Sequence, residues 1–375
     1  MIPRVLTPFA SMVVLTLSAF LYIGAGPSAS PDPKQQTTLF GSSGGNVNDT
    51  ISGKCCSGTL GSLVSISSKK YVLSNNHVLA MMGKATKGDA ISQPGLIDNQ
   101  CKPPRTVAKF TLAAPVSSNV DAGIAEMIDG TMDSNGSILG IGVPSPQLVT
   151  PAANMKVEKS GRSSGVTHGM IQSYSTDLKI DYSDGCKGAT TKNIPFTNQI
   201  VIVGNSGAFS SSGDSGSLVL TDSMQPVGLL FAGSSSLTVA NPIKEVMDTL
   251  SKLAGAPVGF GSNNAFLAES AQIMEFSLQM QKAVASKEEM SSKLMAEDSV
   301  IGVGVSGTPT EPEVILYVQQ DVPLQKMTEK MNAAGIKFLA QGAEYNGTRT
   351  TIIKTDRFRA FGWNESALPV SQCRY

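Results

Sequence analysis

Ser211-Ser212-Gly213-Asp214-Ser215-Gly216-Ser217-Leu218-Val219-Leu220 runs a small Gly-Asp-Ser-Gly turn into an apolar stretch that reads as a buried strand. Gly213 and Gly216 carry no Cβ, so the backbone there can take dihedrals closed to other residues and approach a ligand closely. Such a bend can expose the Ser215 hydroxyl while the N–H groups of Gly213 and Ser215 point into one small space. Two donors so placed stabilise an oxyanion, as acyl transfer requires. An ordinary Gly/Ser turn between strands has the same composition, so the reading depends on whether a base and an orienting carboxylate occur elsewhere.

Both do. Tyr71-Val72-Leu73-Ser74-Asn75-Asn76-His77-Val78-Leu79 sets a histidine just past an apolar strand. A neutral imidazole there can take the Ser215 proton and later deliver it to a leaving amine. The chain has two histidines, His77 and His168, so the choice of base is narrow. Asn119-Val120-Asp121-Ala122-Gly123-Ile124-Ala125 puts an acid at the start of a second apolar strand, where a buried carboxylate can hold the imidazole tautomer. Asp89, in a Lys-Gly-Asp turn, and Asp98, in a polar loop, compete for that role; Asp121 is preferred.

The order His, Asp, Ser resembles the chymotrypsin/trypsin-like serine proteases, with His77 at a strand end, Val-Asp-Ala at Asp121 and Gly-Asp-Ser-Gly at Ser215. Other segments agree. Cys56-Ser57-Gly58-Thr59-Leu60 looks like the start of the strand pair leading to the histidine. The stretch from Lys159 to Gly169 resembles the Ser-Gly-x-Thr-Thr-Gly segment of bacterial, streptogrisin-like members. Pro226-Val227-Gly228-Leu229-Leu230-Phe231-Ala232-Gly233 resembles the strand that follows the nucleophile and pairs with substrate backbone. The resemblance covers residues 55–253. It implies a mostly β domain of two six-stranded barrels with the site in the cleft between them. It also implies Ser215 as nucleophile, His77 as general base and acid, Asp121 as orienting carboxylate, and Gly213 and Ser215 N–H groups as oxyanion hole. Phe209, at the pocket base, and Phe231, Ala232 and Gly233 would meet substrate, and no metal or organic cofactor is needed. His168 is expected in a loop of the second barrel, in a structural role.

The sequence departs from the family in places. Val78 follows His77 where animal relatives carry a cysteine. No Ile-Val-Gly-Gly-like segment offers a freed amine to insert beside Asp214. Ala232 stands where many relatives have an aromatic residue, and the absence of an acid at Phe209 argues against Lys/Arg preference.

Composition fits this outline. Glycine is abundant (37 residues), aromatics are few (6%), and charged residues make up 15% of the chain. That balance favours short strands and turns over long helices in the first two thirds. Expected strands are 61–65, 71–74, 107–112, 122–127, 155–159, 169–174, 178–182, 199–203, 217–220, 227–231 and 237–240. A helix over 242–253 is expected next, capped by Asn241 with Pro242 at its first position. Lys+Arg equals Asp+Glu at 29 each, so net charge gives no argument for a nucleic-acid partner. A protein or peptide substrate is expected.

The two ends read differently. Arg4, an apolar run over 9–25 and small residues over 24–30 form the pattern of a secretory signal peptide. An uncleaved anchor is the alternative, because the run approaches the length of a spanning helix. The chain is therefore expected to be secreted or periplasmic, and membrane-bound only if residues 1–30 are retained. Residues 31–54, rich in Gly, Ser, Asn and Pro, read as a flexible lead-in. The five cysteines, Cys55, Cys56, Cys101, Cys186 and Cys373, leave at least one thiol without an intrachain partner, and no C-x-x-C spacing suggests zinc. Residues 262–375 read as a helical segment over 265–296, rich in Met, followed by a small α/β domain of ferredoxin-like β-α-β arrangement. Its strands are expected at 300–305, 314–318 and 350–354, with a helix at 324–334. Its glycines at 302 and 304 precede no Gly-Lys-Ser/Thr pattern, so a phosphate loop is not expected. Similar modules accompany some bacterial trypsin-like peptidases.

The expected function is an exported serine endopeptidase working through an acyl-enzyme intermediate. The alternatives are a non-catalytic binding or adaptor protein on the same scaffold, and a protease that processes itself.

Overall fold

In the computed structural model, which describes residues 32–51, 54–100, 102, 104–183, 191–260, 277–339 and 342–360, two sheets carry the chain. The first has eight strands, in the order Val258–Phe260, Ser62–Ile66, Lys69–Ser74, Gly123–Met127, Thr106–Ala113, Ala90–Ser92, Ser42–Asn46 and Gly58–Leu60. Gly58–Leu60 and Ser62–Ile66 are almost consecutive in the chain yet lie near opposite ends of that order, so the sheet curls round on itself. Its inner face buries Leu60, Val64, Val72, Ile91, Val107 and Ile124.

The second sheet begins Lys156–Gly161, Leu218–Thr221, Pro226–Gly233, Leu237–Pro242, Thr191–Gly204, Gly165–Ser183. Lys156–Gly161 also pairs with Gly165–Ser183, which closes these six strands into a second barrel. Its core holds Val157, Ile171, Ile202, Phe209, Val219 and Leu230. The fold is mostly β, with two barrels as expected, and each of the eleven strands expected over 61–240 overlaps an observed strand. Helix Ile243–Ala254 then packs Ile243, Val246, Met247 and Leu250, one face at helical spacing, onto the first barrel. Gly255 ends it in the left-handed conformation.

The expected lead-in over 31–54 needs correction. Ser42–Asn46 is a fully buried strand inside the first sheet, paired with both Gly58–Leu60 and Ala90–Ser92. Its Ser-Ser-Gly-Gly-Asn sequence looks like a linker because the packing demands small residues. A Cβ on Gly44 would lie 2.4 Å from Leu60 Cγ.

The C-terminal module extends the second sheet. Gly165–Ser183 runs 19 residues, far beyond the barrel, and its far half pairs with Val300–Gly307. The sheet continues through Pro312–Gln319, Thr348–Thr355, Gly342–Tyr345 and Lys337–Leu339. Helix Leu324–Ala333 precedes the last three in the chain, and Pro312–Gln319 runs parallel to Thr348–Thr355. The module is α/β, but its order of a hairpin beside a three-stranded meander differs from a ferredoxin-like sheet. The glycines of Val300–Gly307 are explained by packing: a Cβ on Gly302 would lie 2.4 Å from Leu178 Cδ2. Helix Leu278–Leu294 covers this sheet, burying Met280 and Met290, and Met295 packs beside them, so these methionines are packing residues. Lys287 of this helix is buried and pairs with Asp177 of the long strand at 2.7 Å. Ser291 donates to the same carboxylate at 2.5 Å.

Residues 1–30, Cys101, Cys186, Cys373 and Met274 lie outside the described residues. Among the described residues no cysteine is free, and Cys56 is in a disulfide. No described helix is long and apolar enough to cross a membrane.

Asp49, just past the buried strand, donates its N–H to the Asn46 carbonyl at 3.2 Å and accepts from Cys56 N–H at 3.0 Å. Burial pushes its carboxyl from 3.8 up to about 6, against the lowering pull of His77 and Lys84. The native state thus holds this proton more tightly than the unfolded chain. The group's contribution to stability is full below its ordinary value and is lost as pH rises through about 6. Urea unfolding of Asp49→Asn against the parent chain at pH 4 and pH 7 should show the variant gaining roughly 2–3 kcal/mol on the parent between the two. Parallel pH dependences would show that this carboxyl is not responsible.

Candidate active site

His77 sits in the short helix Asn76–Leu79, immediately after strand Lys69–Ser74. Asp121 lies just before strand Gly123–Met127, which pairs with Lys69–Ser74 through Ser74 and Gly123. That register brings the two side chains together: His77 Nδ1 is 2.6 Å from Asp121 Oδ2, with both residues buried. A carboxylate only accepts, so Nδ1 carries the proton and Nε2 is the basic nitrogen. The His77 backbone N–H also donates to Asp121 Oδ1 at 3.2 Å.

Other residues fix this carboxylate. Tyr182, near the end of the long strand, donates its hydroxyl to Asp121 Oδ2 at 2.8 Å. Burial, then the adjacent Asp121 charge, raises the Tyr182 phenol well above its ordinary value, so it stays a donor. Its ring stands edge-on to the imidazole, centroids 6.3 Å apart. Asn75 Nδ2 donates to the Asp121 carbonyl at 2.7 Å, and the Asp121 N–H donates to Asn241 Oδ1 at 3.0 Å. Asn241 in turn donates to Gln199 Oε1 at 2.6 Å. The expectation that Asn241 caps the following helix is corrected: Pro242 is the N-cap, and Asn241 braces Asp121. The competing acids are engaged elsewhere. Asp89 accepts from Thr86 N–H within its turn at 3.0 Å. Asp98 receives Arg162 through Nε at 2.6 Å and Nη2 at 2.7 Å, a two-point contact joining the two barrels.

The turn at Ser215 is held against the first barrel. The Ser215 carbonyl accepts from Thr59 N–H at 2.8 Å, and the Gly213 carbonyl accepts from Thr59 Oγ1 at 2.9 Å. A Cβ on Gly58 would meet both Val78 Cγ2 at 2.5 Å and the Ser215 carbonyl at 2.9 Å, so the turn lies against the residue after His77. Gly213 and Gly216 have φ of +98° and +96°, a region closed to most side chains, as a turn of this kind needs.

Peptide planarity sets where the turn's N–H groups point, because C=O and N–H of one trans peptide face opposite ways. The Ser212 carbonyl accepts Ser163 Oγ at 2.5 Å, which turns the Gly213 N–H to the other side. The Asp214 carbonyl accepts Ser217 Oγ at 2.6 Å and Ser217 N–H at 3.0 Å, which does the same for the Ser215 N–H. The Asp214 carboxylate anchors the whole turn. It accepts from the N–H groups of Ser163 (2.7 Å), Ser164 (3.1 Å) and Ser211 (2.9 Å) and from Ser164 Oγ (2.5 Å). Its counter-charge is Lys159 Nζ at 3.3 Å, fully buried. Burial pulls this ammonium below the ordinary lysine range, with Asp214 pulling it back up. Lys159 thus supplies a buried positive charge beside Asp214.

The remaining expected residues are distributed differently. Phe209 is packed in the core of the second barrel, beneath Gly169, with Lys159 Nζ 5.9 Å from its ring centre. His168 is on a strand, not a loop. It faces outward, 3.6 Å from Glu158, and takes no part in the site. Phe231 and Ala232 are buried in a cluster with Tyr182, Phe196 and Phe358, Phe231 lying 4.9 Å from the Phe196 ring. Gly233 pairs with Arg359. Ser215 Oγ donates to the Ala360 carbonyl at 3.4 Å. Tyr182, Asn241, Lys159, Ser163 and Ala360 escaped sequence reading. A lysine ending an apolar strand directly before Ser160-Gly161-Arg162 was the one available signal, for Lys159. Among the described residues no group of three or more His, Cys, Asp or Glu gathers to hold a metal.

Residues 119–244 match the family model described as the Nal1 C-terminal domain. No curated protein matches the sequence. Among solved structures, a glutamic acid-specific serine protease is 17% identical, covering 59% of this chain and 99% of its own, with a TM-score of 0.42. Protease A of Thermobifida fusca is 18% identical, covering 60% and 99%, with a TM-score of 0.40. The chymotrypsin of Cellulomonas bogoriensis is 15% identical, covering 60% and 99%, with a TM-score of 0.39. Similarity at this level says nothing about which bonds the chain acts on.

The Arg162–Asp98 pair yields a stability test. Arg162→Ala strands a buried carboxylate and should cost about 3–5 kcal/mol in urea unfolding. The double variant Arg162→Met with Asp98→Leu should recover most of that loss. A single-variant loss below about 1 kcal/mol would mean that the pair is solvated in solution.

Proposed function

We propose that this protease-like scaffold is a serine endopeptidase that cleaves protein or peptide substrates through an acyl-enzyme. The observation that carries this reading is the buried His77–Asp121 pair at 2.6 Å, with the Ser215 turn pinned to Thr59 of the first barrel and lying against Val78, the residue after His77. In this reading Nε2 of His77 takes the proton of Ser215 as its Oγ attacks the substrate carbonyl. The charge that develops on the carbonyl oxygen is met by the N–H groups of Gly213 and Ser215, already turned by Ser163 and Ser217. Asp121 holds the imidazole tautomer and stabilises the imidazolium, helped by Tyr182. His77 returns its proton to the leaving amine, and water then attacks the ester by the same route in reverse. Export belongs to the same proposal, through residues 1–30 as a signal peptide or anchor, giving a secreted, periplasmic or membrane-attached enzyme.

A second reading, a binding or adaptor protein on this scaffold, is favoured by one observation. Ser215 and His77 are 3% and 1% exposed, so the described chain covers its own reacting groups. A Ser215→Ala chain that keeps all biological activity would favour that reading.

A fluorophosphonate probe should label the mature protein at Ser215, and Ser215→Ala should abolish labelling. Asp121→Asn should slow peptide hydrolysis by about four orders of magnitude. Lys159→Met and Ser163→Ala disturb the turn without touching the reacting groups and should lower kcat by roughly 10- to 1,000-fold with little change in KM. Lack of labelling in a folded chain whose site has been opened would sink the enzyme assignment.

A further inference from the structure

The segment ending at Ala360 runs along the second sheet and brings its last described carbonyl to the Ser215 hydroxyl. Arg359 pairs antiparallel with Gly233, on the strand that follows the nucleophile. Phe358 and Arg359 also pair in parallel with Ile180 and Asp181 of the long strand. The Ala360 N–H donates to the Asp181 carbonyl at 3.1 Å, and the Ala360 carbonyl accepts the Ser215 hydroxyl at 3.4 Å. The approach to this segment is fixed as well. Asp356 accepts from Ser235 N–H at 3.1 Å and Ser235 Oγ at 2.6 Å, and Thr355 Oγ1 donates to Ser234 Oγ at 2.8 Å. Phe358 and Ala360 are wholly buried, and the Phe358 ring stands edge-on to Tyr317 at 6.0 Å.

Adding an extended segment to a strand edge is a general mode of peptide recognition, with main-chain pairing for affinity and side-chain burial for register. A strand that merely completed a sheet would need no carbonyl at the Ser215 hydroxyl. This one delivers its carbonyl there, and the chain continues from it as Phe361.

Resting on the endopeptidase reading above, we infer that the C-terminal segment is this site's own substrate, cut between Ala360 and Phe361. Ser215 Oγ attacks the Ala360 carbonyl carbon while His77 Nε2 takes the hydroxyl proton. The Ala360–Phe361 C–N bond breaks, the nitrogen of Phe361 receives that proton, and residues 361–375 leave as a peptide. Water then attacks the Ala360–Ser215 ester, giving its proton to His77 as it does so. The Ala360 carboxylate forms, and the serine hydroxyl is restored. Tethering replaces a bimolecular encounter with a local one, so the reaction proceeds within one chain.

Intact mass of the freshly made full-length protein should show loss of residues 361–375 and a new end at Ala360. The rate constant should stay unchanged over a dilution of about 100-fold. Ser215→Ala should remain whole to Tyr375. Phe361→Pro makes the leaving nitrogen tertiary and restrains the backbone of Ala360, so it should slow the cut by about 100-fold or more. A rate that rises with protein concentration would overturn the intramolecular assignment. A parent chain that stays whole, while a chain shortened to end at Arg357 takes the fluorophosphonate label, would overturn this inference and leave the endopeptidase reading standing. If that shortened chain, shown folded by circular dichroism, takes no label either, both fall. Should shortening prevent folding, Asp356→Ala, which frees the segment from Ser235, takes its place in the same comparison.

Discussion

A carboxylate with no exposure, Asp121, is the constraint on which the arrangement rests. Taking such a charge out of water costs several kcal/mol unless donors surround it. The donors here come from separate parts of the chain. His77 belongs to the first barrel and Tyr182 to the long hairpin of the second sheet, while Asn241, on the strand leading into the helix at 243, braces the same residue by accepting its backbone N–H. Each contact ties an element that has its own core to the same point between the barrels. The imidazole is oriented as a consequence, since satisfying Asp121 fixes Nδ1 as the protonated nitrogen. Removing any one donor would leave part of a buried charge unanswered, so the same set of bonds serves stability and orientation together.

A second buried carboxylate, Asp214, does comparable work for the backbone. Its partners converge from 159–164 and from its own turn, and they leave the turn little freedom. The orientation of two peptide groups, rather than any side chain, then determines whether an oxyanion would be met. Ser163 and Ser217 hold those peptides by their carbonyls, so the N–H groups of Gly213 and Ser215 face the opposite way. Ser163 also donates its N–H to Asp214, so a single residue links the anchoring carboxylate to the aimed N–H group of Gly213.

What was legible in the sequence follows from how local each signal is. The barrel strands were readable because alternating apolar residues between turns report burial directly. The meeting of His77 with Asp121 was legible because each sits at a strand end inside a short, distinctive stretch. Ser42–Asn46 was not readable, since its neighbours leave room for small residues and the strand therefore lacks an apolar pattern. Asn241 was misread as a cap because Asn before Pro is a strong local helix signal. Its partners, Asp121 and Gln199, are distant in sequence and override that signal. Tyr182 and Ala360 were beyond reach altogether, because they act through a hairpin and a tail whose paths no local pattern encodes.

The C-terminal module acquires a role from the same geometry. Its strand Thr348–Thr355 is parallel to Pro312–Gln319, which pairs with Val300–Gly307, which in turn pairs with the long strand that carries Tyr182. Lys287 and Ser291 clamp the seam onto Asp177, where that strand bulges. From Thr355 only a short span leads to Ala360, and Asp356 is pinned to Ser235 on the way. The register of the segment at Ser215 is therefore set by the module rather than by the segment's own sequence. A free peptide of that sequence would have to find the same alignment unaided, and would lose the ordering that the continuous sheet imposes. The module is thus best understood as the element that positions residues 358–360 against the site, which is why it is built into the second sheet instead of hanging from a linker.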